Sequence, residues 1–242
     1  MRRRILLLLF VVTLGLAAAK AELAAATDTV CFGFIREADG PKTLRTYVVN
    51  NGPDSVSLLK VRPSCGCTAA SFQQDPVAPG DSAWIELTYN PYRRPGSFEK
   101  SVKVYPSEGE MIRLPISGTV IASPETIGGM FPSDGGLLHL SESTLMTLRP
   151  LSTGEKTLYT DYYNSGSQPV YMRLECDSEA VTAEAFPPSA APGDKGMIGF
   201  YINPSRESRE GKIEYTILLY TALSPDFSDA EAPVEIKIFT EK

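Results

Sequence analysis

Histidine is almost missing from this chain: among 242 residues there is one, His139, and tryptophan is as scarce, with Trp84 alone. A single imidazole excludes a Cys2His2 zinc site and obliges any Ser-His-Asp arrangement to use His139. That residue sits beside a Gly/Pro-rich stretch and reads as a strand-edge surface residue. There is no Gly-x-Ser-x-Gly elbow, no phosphate-cradling glycine loop, no His-Glu-x-x-His and no Met-x-Met pair, so no catalytic residue is expected. Positive charge is also short, 23 Lys and Arg against 29 Asp and Glu for a formal net charge of -6, which argues against a nucleic-acid or anionic-lipid surface. Beyond the first residues no apolar run approaches the ~20 residues of a membrane-spanning helix, and no segment has an amphipathic helical period.

The first residues themselves are distinctive. Met1-Arg2-Arg3-Arg4 is a short cationic segment, Ile5 to Leu16 is uncharged and apolar, and Ala17-Ala18-Ala19 follows. This is the anatomy of a secretory signal peptide over residues 1–21, with cleavage after Ala19 or Ala21. Its removal takes Arg2, Arg3 and Arg4 away and moves the formal charge from -6 to about -9. The expected compartment is the periplasm or cell envelope, and the mature chain is not expected to span a membrane. Cys31 is not a lipid-anchor cysteine, because Asp28-Thr29-Val30 precedes it. The remaining residues suffice for two domains of about 100 residues each.

The chain repeats itself. Asp39-Gly40-Pro41-Lys42-Thr43-Leu44 is echoed by Thr153-Gly154-Glu155-Lys156-Thr157-Leu158, and Asn50-Asn51-Gly52 by Asn164-Ser165-Gly166, at an offset of 114. Ala78-Pro79-Gly80-Asp81 matches Ala191-Pro192-Gly193-Asp194, and Tyr89-Asn90-Pro91 matches Ile202-Asn203-Pro204, one residue nearer. Between these turns the period is two. Ala83, Ile85, Leu87 and Tyr89 alternate with polar neighbours, and Phe98, Lys100, Val102 and Val104 correspond to Ile213, Tyr215, Ile217 and Leu219. Further strands are expected at Val30–Arg36, Thr43–Asn50, Val56–Arg62 and Met111–Val120, then Leu145–Leu151, Thr157–Asn164, Val170–Cys176 and Val234–Thr240. Short strands with Asn-Gly, Pro-Gly and Asn-Pro turns predict an all-β chain: two tandem immunoglobulin-like antiparallel β-sandwich domains after a signal peptide. The expected division is residues 28–121, a linker over 122–136, and residues 137–242.

Phe32-Gly33-Phe34-Ile35-Arg36-Glu37, Asn50-Asn51-Gly52, Val61-Arg62-Pro63-Ser64-Cys65-Gly66-Cys67-Thr68, Pro79-Gly80, Tyr89-Asn90-Pro91 and Arg94-Pro95-Gly96-Ser97-Phe98 stand in an order with a family likeness. Over residues from about 30 to 121 the chain resembles an uncharacterised bacterial domain family abundant in the envelopes of Bacteroidetes. Its fold is similar to the immunoglobulin-like domains of major sperm protein and of the abnormal-spindle and hydin proteins. The resemblance implies a fold and a compartment, and no activity.

The candidate site is the pair Cys65 and Cys67. At an offset of 114, Ser64 to Thr68 fall opposite Ser178, Glu179, Ala180, Val181 and Thr182, so both sulfurs are lost in the second copy. On that alignment Cys65 faces solvent like Glu179 and Cys67 points inward like Val181. Four cysteines in an oxidising compartment invite disulfides. A Cys65–Cys67 bridge, a link from Cys31 to either of them, a link between Cys31 and Cys176 joining the domains, and free thiols all stay open. The pair is read as a structural staple, a labile redox disulfide or a soft-metal site, chiefly for Cu(I). Trp84, Tyr89 and Tyr92, and Tyr162, Tyr163 and Tyr171, are candidate aromatic surfaces, with strand packing as the simpler account. Glu37, Asp39 and Asp54 lie by turns and are read as solvated carboxylates. Two functions compete: a non-catalytic envelope module that binds a protein or a surface polymer and needs no cofactor, and a periplasmic thiol redox or Cu(I)-binding protein using the Cys-Gly-Cys pair.

Overall fold

The structure is a computed structural model that describes residues 23–242. The signal peptide and both cleavage points lie outside the described residues. The first repeat contains β1 Leu23–Ala25, β2 Val30–Arg36, β3 Lys42–Asn50, β4 Leu58–Pro63, β5 Thr68–Phe72, β6 Ser82–Tyr89, β7 Gly96–Pro106 and β8 Ile112–Ile121. These form two four-stranded sheets, in the orders β1-β3-β6-β5 and β2-β8-β7-β4. In β6 the alternation read from the sequence holds, with Ala83, Ile85, Leu87 and Tyr89 buried and their neighbours half-exposed or exposed. Val102, Val104, Leu114 and Ile116 meet them from the other sheet. Burying such side chains contributes on the order of 1.5–3 kcal/mol each and holds the sheets together.

After α1 Pro124–Met130, the second repeat contains β9 Ser133–Asp134, β10 His139–Leu140, β11 Thr144–Met146, β12 Lys156–Tyr163, β13 Val170–Cys176, β14 Val181–Phe186, β15 Ser189–Ala190, β16 Lys195–Ile202, β17 Lys212–Ala222 and β18 Val234–Glu241. Their sheets run β14-β16-β12-β10-β9 and β11-β18-β17-β13-β15, around a second core. The chain is therefore two tandem immunoglobulin-like sandwiches.

Neither sandwich is wholly antiparallel. β2 runs parallel to β8, and β11 parallel to β18. In each copy the entering chain first pairs in one sheet (β1 with β3, β10 with β12) and then crosses to the edge of the other. The entering chain keeps its direction as it crosses, and the strand it meets there, β8 or β18, runs the same way. The strand expected over Leu145–Leu151 is correspondingly short, with a 3-10 turn at Leu151–Thr153.

The repeated asparagines are buried turn-closers. Asn50 donates through Nδ2 to the Asp54 and Val77 carbonyls at 2.8 and 2.9 Å and accepts the Gly52 N–H at 3.0 Å. Asn164 repeats all three bonds, to Gln168, Ala190 and Gly166. These bonds also locate where the repeat loses a residue. Asp54 and Gln168 are 114 apart, whereas Val77 and Ala190 are 113 apart. The slip lies in β4, where the pairing jumps from Leu58↔Pro106 to Lys60↔Tyr105. β13 runs without a break past the same point, Met172↔Thr221 then Arg173↔Tyr220. Leu59 is thus the extra residue of a β-bulge, pushed out to 65% exposure.

The segment expected as a linker is ordered into a seam. Ser123 caps α1, its Oγ accepting the Thr126 N–H. Glu37, expected in solvent, is instead buried: its carboxylate accepts the Arg93 N–H at 2.6 Å, the Ser123 N–H at 2.9 Å and the Thr126 hydroxyl at 2.8 Å. Across the seam the Ala122 N–H donates to the Tyr163 hydroxyl and Phe131 stacks on the Tyr163 ring. Ser97 donates to Asp194, in the Ala191-Pro192-Gly193-Asp194 turn. Gly193 is at φ 80°, and a Cβ there would come within 2.5 Å of the Ile121 side chain. Gly80, in the same turn of the first copy, has open space instead.

Candidate functional site

The Cys65-Gly66-Cys67 turn is made by the end of β4 and the start of β5. Ser64 prolongs the ladder: its N–H donates to the Ser101 carbonyl at 2.8 Å and its Oγ accepts the Ser101 N–H at 3.2 Å. The Asn90 N–H then holds the Cys67 carbonyl at 2.8 Å. Within this frame the two sulfurs are bonded to each other, with Cα atoms 5.2 Å apart. Cys67 is buried in the first core and Cys65 is half-buried against it. The Thr68 Oγ1 lies 3.8 Å from each sulfur and is the polar neighbour of both. Cys31 is an exposed free thiol on β2, and Cys176 a half-buried one on β13 whose pKa is pushed up by burial and then by Asp177.

The bulge at Leu59 corrects the alignment of the two copies here. Asn90 binds the Cys67 carbonyl as Asn203 binds that of Ala180, and the Thr68 N–H faces the Cys65 carbonyl as the Val181 N–H faces that of Ser178. The counterparts of Cys65, Gly66, Cys67 and Thr68 are therefore Ser178, Glu179, Ala180 and Val181. The second copy replaces one sulfur by a hydroxyl and the other by a methyl, and keeps the turn without a covalent bond. Gly66 has its own message. Its φ lies outside the left-handed region and a Cβ there would meet nothing beyond its two chain neighbours, so the surrounding fold does not require glycine. Gly66 is exposed, and Glu179, which stands at the same place in the second copy, is exposed as well.

The double substitution Cys65→Ser and Cys67→Ala is accordingly expected to cost at most about 2 kcal/mol, since the loop closed by the bond is tiny and the second copy folds with these residues. Urea midpoints under oxidising conditions measure it. A loss above about 3 kcal/mol would make the bond a staple.

Other candidates are placed elsewhere. Tyr89 is buried and stacks on Phe98 with centroids 4.1 Å apart, so it builds no surface with Trp84 and the exposed Tyr92. Tyr162 and Tyr163 are fully buried, leaving only Tyr171 half-exposed. Trp84 is half-buried under the Arg45 guanidinium, 5.2 Å above its ring. His139 is half-buried on β10, its Nε2 2.9 Å from the Ser165 hydroxyl. Among the described residues no three His, Cys, Asp or Glu side chains gather as a metal site, and no helix is long and apolar enough to cross a membrane.

Residues 23–120 match the family model described as "Protein of unknown function (DUF1573)". No curated protein matches the chain. Similar solved structures include a protein of unknown function from Porphyromonas gingivalis W83, 13% identical with a TM-score of 0.37, over 91% of this chain and 99% of that one. The CupB2 chaperone of Pseudomonas aeruginosa is 10% identical, with a TM-score of 0.34 over 89% of this chain and 100% of that one. An ASH / PapD-like domain of human CEP192 is 8% identical, with a TM-score of 0.35 over 45% of this chain and 86% of the domain.

Proposed function

We propose that this chain is an exported, non-catalytic envelope protein whose two sandwiches form a binding or scaffolding module for a protein or a surface polymer. The observation that carries this reading is the seam. A buried carboxylate, a capped helical turn and a glycine seated on Ile121 join the repeats through 122–136, which suits a part that presents two surfaces in a fixed relation. The acidic balance of the chain supports a partner other than nucleic acid. Export is tested by the mass of the protein taken from envelope fractions. The expected N-terminus follows Ala19 or Ala21, and an intact Met1 in the membrane pellet overturns it.

A second reading rests on the Cys65–Cys67 bond, in which Cys67 is buried and Cys65 is only half-buried beside the exposed Gly66. An incoming dithiol would attack Cys65 through one thiolate, the S–S electron pair passing to Cys67, which takes up a proton. Its second thiol would then displace Cys65, leaving the dithiol oxidised and both cysteines reduced. Once reduced, the pair could offer two thiolates to Cu(I). The Cys65→Ser, Cys67→Ala variant separates the readings. Unchanged growth under copper and oxidative stress favours the module, and a loss of tolerance at wild-type stability favours thiol chemistry.

A further inference from the structure

The outer face of the β4-β7-β8 sheet carries a line of cations. Arg62 pairs with Lys103 across β4 and β7, and Lys103 with Arg113 across β7 and β8. All three are exposed, and among the described residues none lies in a salt bridge. Like charges directly opposite one another on neighbouring strands destabilise a sheet, so this row is a local cost in a chain that is acidic as a whole. The second sandwich holds the opposite arrangement at the equivalent place. Lys60↔Tyr105 corresponds to Arg173↔Tyr220, which fixes the register, and two residues along β13 the row reads Glu175↔Leu218↔Glu235. Glu175 and Glu235 are exposed, and Leu218 between them is half-buried.

The two rows match in spacing as well as sign. In each, the outer charges stand on strands two steps apart, about 10 Å at the usual strand separation. Laid face to face, Arg62 and Arg113 would each meet a carboxylate while the Lys103 stem covers Leu218. Glu175 and Glu235 have only exposed, same-strand partners to exchange, Arg173 at 3.4 Å and Lys237 at 4.0 Å. We propose that the Arg62–Lys103–Arg113 face docks a second copy of this chain through the Glu175–Leu218–Glu235 face of its C-terminal sandwich. This deepens the binding-module reading by naming the partner, and it rests on that reading only in treating the sheet face as a docking surface. Whole-molecule repulsion between two acidic chains is screened at about 0.1 M salt, where the Debye length is about 10 Å, while opposed charges in contact still attract.

The test is sedimentation equilibrium of the purified chain at about 0.1 M and about 1 M salt, with two charge-reversed variants. The expected result is concentration-dependent association at the lower salt that weakens at the higher. Arg62→Glu with Arg113→Glu, and Glu175→Arg with Glu235→Arg, should each reduce self-association by at least about tenfold alone, and an equimolar mixture of the two should restore it. A wild type that stays monomeric across the concentration range overturns the inference, as does association that both variants retain. A monomer that instead binds polyglutamate or heparin overturns it too, while leaving the binding-module reading intact.

Discussion

Replacing Asn50 by alanine is expected to cost the first sandwich about 3 kcal/mol, a loss large enough to shift its urea midpoint clearly. The side chain is completely buried and makes three hydrogen bonds, so truncation removes two donors and one acceptor at once. The Val77 carbonyl is then left without its side-chain donor in a place water does not reach. Asn50→Asp should be nearly as harmful, because it keeps the acceptor for Gly52 and loses both donors. Asn164→Ala should do the same to the second sandwich. If Asn50→Ala shifts stability by less than about 1 kcal/mol, the network has water as a ready substitute and its repetition reflects turn geometry alone.

Glu37→Ala is the second substitution with a large expected effect, about 2–3 kcal/mol at neutral pH, because it strips three donors of one acceptor at the seam. Burial alone would raise this carboxyl, but the Arg93 and Ser123 amides and the Thr126 hydroxyl outweigh it and hold its pKa below the ordinary value. A carboxylate whose folded-state pKa is depressed stabilises the fold fully above its unfolded value and loses that contribution as pH falls through the folded value. Wild-type stability should therefore drop below about pH 4, and the Glu37→Ala chain should lack that part of the drop. Calorimetry as a function of pH decides it. Equal acid slopes for the two proteins would mean that Glu37 does not report on the seam.

Much of the architecture was legible in the sequence because it rests on local rules. Period-two runs such as Ala83 to Tyr89 placed strands, and Asn-Gly and Pro-Gly turns marked their ends. β2 and β13 appear with the expected bounds, Val30–Arg36 and Val170–Cys176. What escaped depends on pairing between distant segments. The bulge at Leu59 is invisible along one strand, yet it slips the repeat by one residue and moves the counterparts of the cysteines from Glu179 and Val181 to Ser178 and Ala180. Tyr162 and Tyr163 look like surface aromatics because both faces of β12 are covered at its end, one by the core and the other by the seam. Glu37 sits in a turn, where carboxylates are ordinarily solvated, and only the arrival of Ser123 and Thr126 buries it. The cation row needed the strand register before Arg62, Lys103 and Arg113 could be seen as neighbours.

The position of Trp84 has an optical consequence. The chain's sole tryptophan lies in β6, paired with Tyr47 and lidded by Arg45, so its emission follows the first sandwich while the second is represented by tyrosines alone. Excitation restricted to the indole thus isolates one half of the molecule without any label. Set beside far-ultraviolet dichroism, which averages both halves, it resolves whether the two repeats unfold as one cooperative unit or in sequence.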